Sequence, residues 1–313
     1  MPTEAETPRT PWLDAWSDRL ASLQTTSANL RFVDVRGDGD HRMLVGHVKA
    51  NRLKVFQGTM LEADFALPDT PSAVGDFTPP SATNGASMSP VVAVACGSSV
   101  LLYRELRPYS KFAVPPTDLA PVELAAWAAL QAHGASDVAA AVAALAAARA
   151  GGVRLSSRSQ ELLAIEDAAT QALFGTSFEN VPLQQEAVVT CMETLAVSGG
   201  VSCLVLGTES GGVLILDGAG TKVLCTVQLP DAPVAMSCAG EFAVEFSVFV
   251  ACRDGKVYTV AAGEVQGQAV LKKGPPLVLG APPVGLKALD KHSVVAATMD
   301  AQLHSFDKGG CAC

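Results

Sequence analysis

Apolar and polar positions alternate in short bursts along most of this chain, and three of the bursts repeat as a unit. The segments starting at Leu204 (LVLGTESGGVLILD), Val248 (VFVACRDGKVYTVA) and Val294 (VVAATMDAQLHSFD) follow one another at 44 and then 46 residues. Each opens on apolar or small residues, turns through polar ones (Glu209 to Gly212, Arg253 to Gly255, Met299 to Gln302) and closes on an alternating strand. A period of two puts every second side chain on one face of a strand. A strand–turn–strand unit recurring every ~45 residues predicts the blades of a β-propeller. One small sheet cannot bury its faces alone, so such blades stack around an axis. That architecture offers broad loop-built faces and favours binding over catalysis.

Two earlier segments, Met43–Phe56 (MLVGHVKANRLKVF) and Val92–Arg104 (VAVACGSSVLLYR), fit the same template. The interval from 92 to 204 exceeds one blade, and its sequence is of another kind. From Thr117 to about Gly175 it is rich in Ala, Leu, Glu and Gln with helical spacing. One helix is expected from Thr117 or Pro121 to Gly134, and a second from Ser136 to about Ala150, stopped by Gly151-Gly152. A third is expected to open at Ser157, with Gln160 at capping-box spacing, and to end near Gly175. The expected organisation is a disordered stretch at 1–11, first blades at 12–116, a helical insertion at 117–180, and further blades at 181–313. Within the first blades, residues 69–90 (Asp69–Pro90), rich in Pro, Ser and Thr, are expected to form a mobile loop.

Composition narrows the partners. The chain has 313 residues and a net charge of −9, which disfavours nucleic acid and direct adsorption to anionic lipid. Its longest wholly apolar run, Val138–Ala148, is too short to span a bilayer. Residues 1–11 have no apolar core, so no secretory signal is expected there. Cys96, Cys191, Cys203, Cys225, Cys238 and Cys252 lie in or beside apolar strands and are expected to be buried free thiols.

Candidate chemistry is sparse. Asp34–Asp40 (DVRGDGD) has the Gly of a calcium loop, but Arg36 and Val45 occupy ligand places, so an Asp/Gly turn is expected. Gly218–Lys222 (GAGTK) lacks the spacing of a phosphate loop and joins two strands, which again predicts a turn. The five histidines are scattered, and no acid–base, nucleophile or metal constellation assembles, so neither an enzyme nor a cofactor is expected. The Cys311-Ala312-Cys313 end is similar to a doubly prenylated CxC tail, on a chain otherwise unlike a GTPase.

Several stretches together resemble one family, that of the first subunit of the BBSome (Bardet–Biedl syndrome protein 1). They are Trp12-Leu13-Asp14-Ala15; Gly37-Asp38-Gly39 with Leu44-Val45-Gly46 and Leu53-Lys54-Val55; and Leu106-Arg107-Pro108-Tyr109 with Lys111-Phe112. Beyond the helices stand Val201 to Glu209 (VSCLVLGTE), Val244-Glu245-Phe246, Ala251-Cys252-Arg253 with Gly255, Pro283-Val284-Gly285-Leu286, and Leu303-His304 with Phe306. The resemblance implies an all-β, WD40-like propeller with an α-helical insertion, about five blades here of the family's seven, and hence a truncated C-terminal end. It further implies a non-enzymatic coat subunit whose propeller docks a GTP-bound Arf-like small GTPase. Membrane contact is then indirect, with other BBSome subunits and ciliary membrane-protein cargo as further partners. The implied locations are cytoplasm, cilium, ciliary basal body and, peripherally, ciliary membrane. A propeller scaffold of another vesicle-coat or intraflagellar-transport assembly, without a GTPase, is the alternative.

Arginine and tyrosine are the commonest interface anchors, which selects five partner-binding candidates. Arg36 and Arg42 flank the Asp/Gly turn of the first blade, and Arg107, Tyr109 and Lys111 follow the second hairpin. The competing expectation for Tyr109 and Phe112 is packing between that last strand and the helical insertion.

Overall fold

The computed structural model describes residues 22–81, 89–133, 137–178, 181–265 and 268–307. The expectations for residues 1–11, for Trp12 to Ala15 and for the cysteine-containing end lie outside these. Strands β1 (Leu30–Val33), β2 (Arg42–His47), β3 (Arg52–Gln57) and β4 (Met60–Ala66) form the first antiparallel sheet. The second comprises β5 (Pro71–Phe77), β6 (Val91–Cys96), β7 (Ser99–Arg104) and β8 (Arg107–Ala113). Beyond the helices, β9 (Val189–Ser198), β10 (Val201–Thr208), β11 (Gly212–Leu216) and β12 (Val223–Gln228) make the third. The fourth blade has β13 (Pro233–Glu241), β14 (Glu245–Cys252), β15 (Lys256–Val265) and β16 (Gln268–Lys273), with the short β17 (Leu277–Val278) also against β15, and it shares one continuous nine-stranded sheet with the third. The last has β18 (Pro283–Ala288), β19 (Ser293–Thr298) and β20 (Leu303–Asp307).

The five sequence hairpins are the second and third strands of these sheets. The repeat registers most clearly where those strands bury both faces: β6 and β11 are buried throughout, and β14 in all but its first residue, whereas β19 buries alternate residues. The sheets are blades of one propeller arc, sealed by an apolar cluster between each consecutive pair. Leu44, Leu53 and Val55 meet Val74 and Val92 between blades 1 and 2, and Phe77 and Leu102 meet Leu204 and Leu206 between blades 2 and 3. Val205 and Ile215 meet Val248 and Val250 next, and Phe249 and Ala251 meet Val294 and Phe306 last. One parallel bridge, Glu241 to Ala196, joins the innermost strands of blades 3 and 4. Blade 5 has three strands among the described residues.

The mobile loop expected over 69–90 is corrected in its first half. Pro71–Phe77 is the buried innermost strand of blade 2. Its small and polar residues reflect the crowding there, since a Cβ on Gly75 would stand 3.2 Å from the Met192 methyl. Residues 82–88 lie outside the description.

Helices α1 (Pro121–His133), α2 (Val138–Ala150), α3 (Ser157–Ala164) and α4 (Ala168–Ser177) fill the stretch between β8 and β9. The single third helix expected from Ser157 to Gly175 is two. The chain turns extended at Ile165, and Asp167 caps the new helix by accepting from the Thr170 amide at 2.8 Å. The cap of α3 is Ser156 rather than Ser157, and Gln160 donates to the Leu155 carbonyl at 2.8 Å. No helix of the described residues is long and apolar enough to cross a membrane.

Candidate docking surface

Antiparallel pairing puts the first-to-second and third-to-fourth turns of each blade on one side of the arc. Cross-blade bonds align that side. The Thr78 amide donates to the Ser202 hydroxyl at 2.8 Å, and the Lys291 ammonium reaches Glu245 at 2.5 Å. Both the Asp34–His41 turn and the Glu105–Leu106 turn open there, and these carry the candidate residues.

The Asp34–Asp40 segment is a self-satisfied turn. Asp34 accepts from the amides of Asp38 (3.0 Å) and Gly39 (2.8 Å), and Gly37 and Gly39 take the positive φ of 69° and 84° that the reversal needs. Arg42 lies beneath it with only 2% of its surface exposed. Its guanidinium grips Asp38 bidentately at 2.6 and 3.0 Å and reaches Glu62 at 3.4 Å. The Arg42 hydrogen bond, with help from the Asp40 amide, holds the Asp38 carboxyl well below the usual carboxylate range. Arg42 is therefore a keystone of its own blade, which corrects its selection as a partner anchor. Arg36 is half exposed and shares Glu62 from the other side.

On blade 2, Arg107, Tyr109 and Lys111 recur at every second residue of β8 and are exposed. Tyr109 is 52% exposed, and the Arg104 guanidinium stands 4.3 Å above its ring. The expectation that Tyr109 and Phe112 pack against the helical insertion is corrected, since Phe112 enters the core between blades 2 and 3. Glu105 and Leu106, both at positive φ (46° and 60°), make the tight reversal that sets Arg104 opposite Arg107. The candidates thus form two groups on one side of neighbouring blades, with no bond joining them among the described residues.

Two contributions were missed from sequence. Arg104 was passed over as the end of a hairpin, although its pairing with Arg107 follows from the two-residue turn. Register also lines up Phe32, Met43, Phe56 and Leu61 as one cross-strand row of blade 1. Phe32 is 64% exposed at one end of that row, and Met60, next to the other end, 75%. The alternation of Leu30 and Phe32 was the available signal. An apolar row rimmed by paired charges has the anatomy of a protein-docking surface.

The remaining motifs are structural. Asp217 accepts from the amides of Thr221 (2.6 Å) and Lys222 (3.0 Å), so GAGTK is a turn. The six described cysteines are unbridged, and burial pushes the thiols of Cys96, Cys191, Cys203 and Cys252 up to about 12. The described residues contain no group of three or more His, Cys, Asp or Glu that could hold a metal ion.

Comparison with known proteins places this architecture. The human and mouse proteins described as BBSome complex member BBS1 are 32% and 31% identical to it over 307 residues. Each alignment covers 96% of this chain and 50% of the relative, so the chain spans about half the length of the curated relatives it matches. A crystal structure of BBS1N in complex with ARL6DN matches 96% of this chain and 72% of its own, at 28% identity and a TM-score of 0.68. The family model for ciliary BBSome complex subunit 1 matches residues 12–261. The chain, a β-propeller with a helical insertion, belongs to the BBSome subunit 1 family.

Proposed function

We propose that this chain is a non-enzymatic BBSome subunit that docks a GTP-bound Arf-like small GTPase on the turn side of blades 1 and 2. Docking would bring the coat to membranes and serve the traffic of ciliary membrane proteins, with other BBSome subunits and cargo as further partners. The proposed locations are cytoplasm, cilium, basal body and, through the GTPase, ciliary membrane. The observation that carries this reading is the likeness, over 96% of the chain, to a propeller solved in complex with ARL6DN. Exposed Arg36, Arg107, Tyr109 and Lys111 and the half-buried Arg104, with Phe32 and Met60 nearby in blade 1, supply suitable anchors and apolar area.

Titration calorimetry with an Arf-like GTPase, loaded with a GTP analogue or with GDP, tests the proposal. Binding is expected only in the GTP state. Arg36→Glu should weaken it about tenfold, ~1.4 kcal/mol, with an unchanged melting midpoint. Arg42→Glu should lower the midpoint by roughly 5 °C, because it leaves Asp38 without its cation and sets a buried carboxylate beside Glu62. Nucleotide-independent binding, or full affinity in Arg36→Glu, removes the first-blade turn from the interface.

A further inference from the structure

The side of the arc away from the blade 1 turn carries two cavities that meet at Ser210, in the turn between β10 and β11. The first, of about 360 Å³, lies between blades 2 and 3. Val114, Pro115 and Pro116, where the chain leaves β8, form one wall, and Leu214 and Val223 the other. Val114, Leu214 and Val223 also pack in the apolar cluster between the two blades, so the cavity is floored by that core. The second, of about 270 Å³, lies between blade 3 and the helices. Leu155 and Val188 supply its apolar part, and Gln160, Glu186 and Glu209 its polar part. Thr117 braces the place where the cavities meet, since its hydroxyl donates to the Ser210 hydroxyl at 3.1 Å. The rim is acidic, with Asp118, Glu186 and Glu209 all exposed. The carboxylates of Asp118 and Glu209 have no hydrogen bond or ion pair among the described residues. Arg154, the cation in these linings, has its guanidinium on the Glu209 carbonyl.

We propose that this groove receives an extended segment of another protein that presents a large apolar residue and, two places on, an arginine or lysine. The apolar residue enters the first cavity. Alternate side chains of an extended chain lie on one side about 7 Å apart, so the second reaches across Ser210. There its aliphatic stem lies against Leu155 and Val188, and its charged end meets Glu186 and Glu209. Charge selects this partner, because three rim carboxylates face one engaged guanidinium on a chain of net charge −9. An acidic segment is repelled, and a wholly apolar one strips water from the rim carboxylates without replacing it. The groove opens on the side opposite the blade 1 turn, so its occupation is independent of the GTPase proposal.

The probe is a fluorescein-labelled nonapeptide in which leucine and arginine alternate at every second place with serine between them. It is titrated into the full 313-residue chain and followed by anisotropy. Saturable binding is expected, and a peptide with glutamate in place of arginine should not bind. A peptide of the same composition with leucine and arginine adjacent, hence on opposite sides, should bind about tenfold more weakly. Joint Asp118→Lys and Glu209→Lys should weaken the probe about tenfold with an unchanged melting midpoint, because both side chains are exposed. Thr226→Trp, at an exposed position of β12 that lines the first cavity, should block binding. Joint Glu161→Lys and Glu166→Lys makes the same change in net charge at exposed helical positions outside both cavities and should leave affinity unchanged. Unchanged affinity in either groove variant, an equal loss in the Glu161 and Glu166 pair, or equal binding of the reordered peptide would each overturn the proposal.

Discussion

The blades and the helices bury their apolar side chains over very different distances along the chain. The cluster between blades 2 and 3 draws on residues from Ala73 to Leu216, and Arg31 of blade 1 pairs with Glu193 of blade 3 across 162 positions. The helical cluster is local, running from Ala126 to Leu183 with no blade residue in it. Polar burial divides the same way. Glu123 of α1 is wholly buried and accepts from the hydroxyls of Ser156 and Ser159 and from the Ser156 amide, while the Trp127 indole donates to Ser159 at 2.8 Å. The arc is thus a set of mutually dependent sheets, and the helices form a unit with its own core. Cooperative units of this kind open separately.

The largest expected effect comes from matched truncations. Leu204, fully buried between blades 2 and 3, and Leu145, fully buried among the helices, should each cost about 2–5 kcal/mol as alanine. In differential scanning calorimetry Leu204→Ala should lower the blade transition and Leu145→Ala only the helical one. A single transition shifted alike by both would end the distinction.

Alkaline pH should separate the two regions next. All six described cysteines sit in blades 2 to 4, and none lies in the helices. Four thiols ordinarily ionising near 9.0 are held protonated to about 12 by burial. The unfolded chain loses those protons first, so the blades lose stability as pH climbs from about 9 toward 12, by up to about 1.4 kcal/mol per pH unit for each thiol. Below that window the contribution is fully present. Melting curves at successive pH values should show the blade transition falling while the helical one moves less.

How much of this was legible in the sequence follows from where burial lies. The second strands of blades 2 and 4 and the third strand of blade 3 are buried on both faces almost throughout, so their apolar runs stood out and fixed the repeat. The innermost strand of blade 2 is Pro-Ser-Ala-Val-Gly-Asp-Phe, chosen for crowding near the axis, and it carries the composition of a loop. Outer strands such as β8 and β12 are half exposed and alternate too weakly to register alone. At the candidate surface the residue types were readable and their burial was not. Arg42 and Arg36 look equivalent in sequence, and only the fold shows one of them consumed by Asp38 and Glu62.

Glu123→Ala should have a smaller effect, restricted to the helices. It removes the acceptor that joins α1 to the cap of α3 and leaves two buried hydroxyls and an amide short of a partner. A cost of roughly 1–3 kcal/mol is expected in the helical transition. Chemical denaturation followed by Trp127 fluorescence should report it, because that indole packs at 6.1 Å against Phe178 within the same cluster. A matching loss in blade stability would mean that the clusters are coupled.

The smallest effect expected on the blades is from removing the helices altogether. The Thr117 amide donates to the Gln185 carbonyl at 2.9 Å, so the two points where the chain leaves and rejoins the blades already touch. A short glycine–serine link can replace residues 118–184 without moving either end. What is lost from the blades is chiefly the bond from Arg154 to the Glu209 carbonyl, an exposed contact at the turn between β10 and β11. Exposed contacts of that kind are worth within about 0.5 kcal/mol, and the link shortens a loop whose closure cost grows only slowly with length. The blade transition of the excised chain should therefore fall within a degree or two of the parent's. Loss of that transition, or faster amide exchange across β9 and β10, would show that the helices buttress blade 3 and that the local core is part of the long-range one.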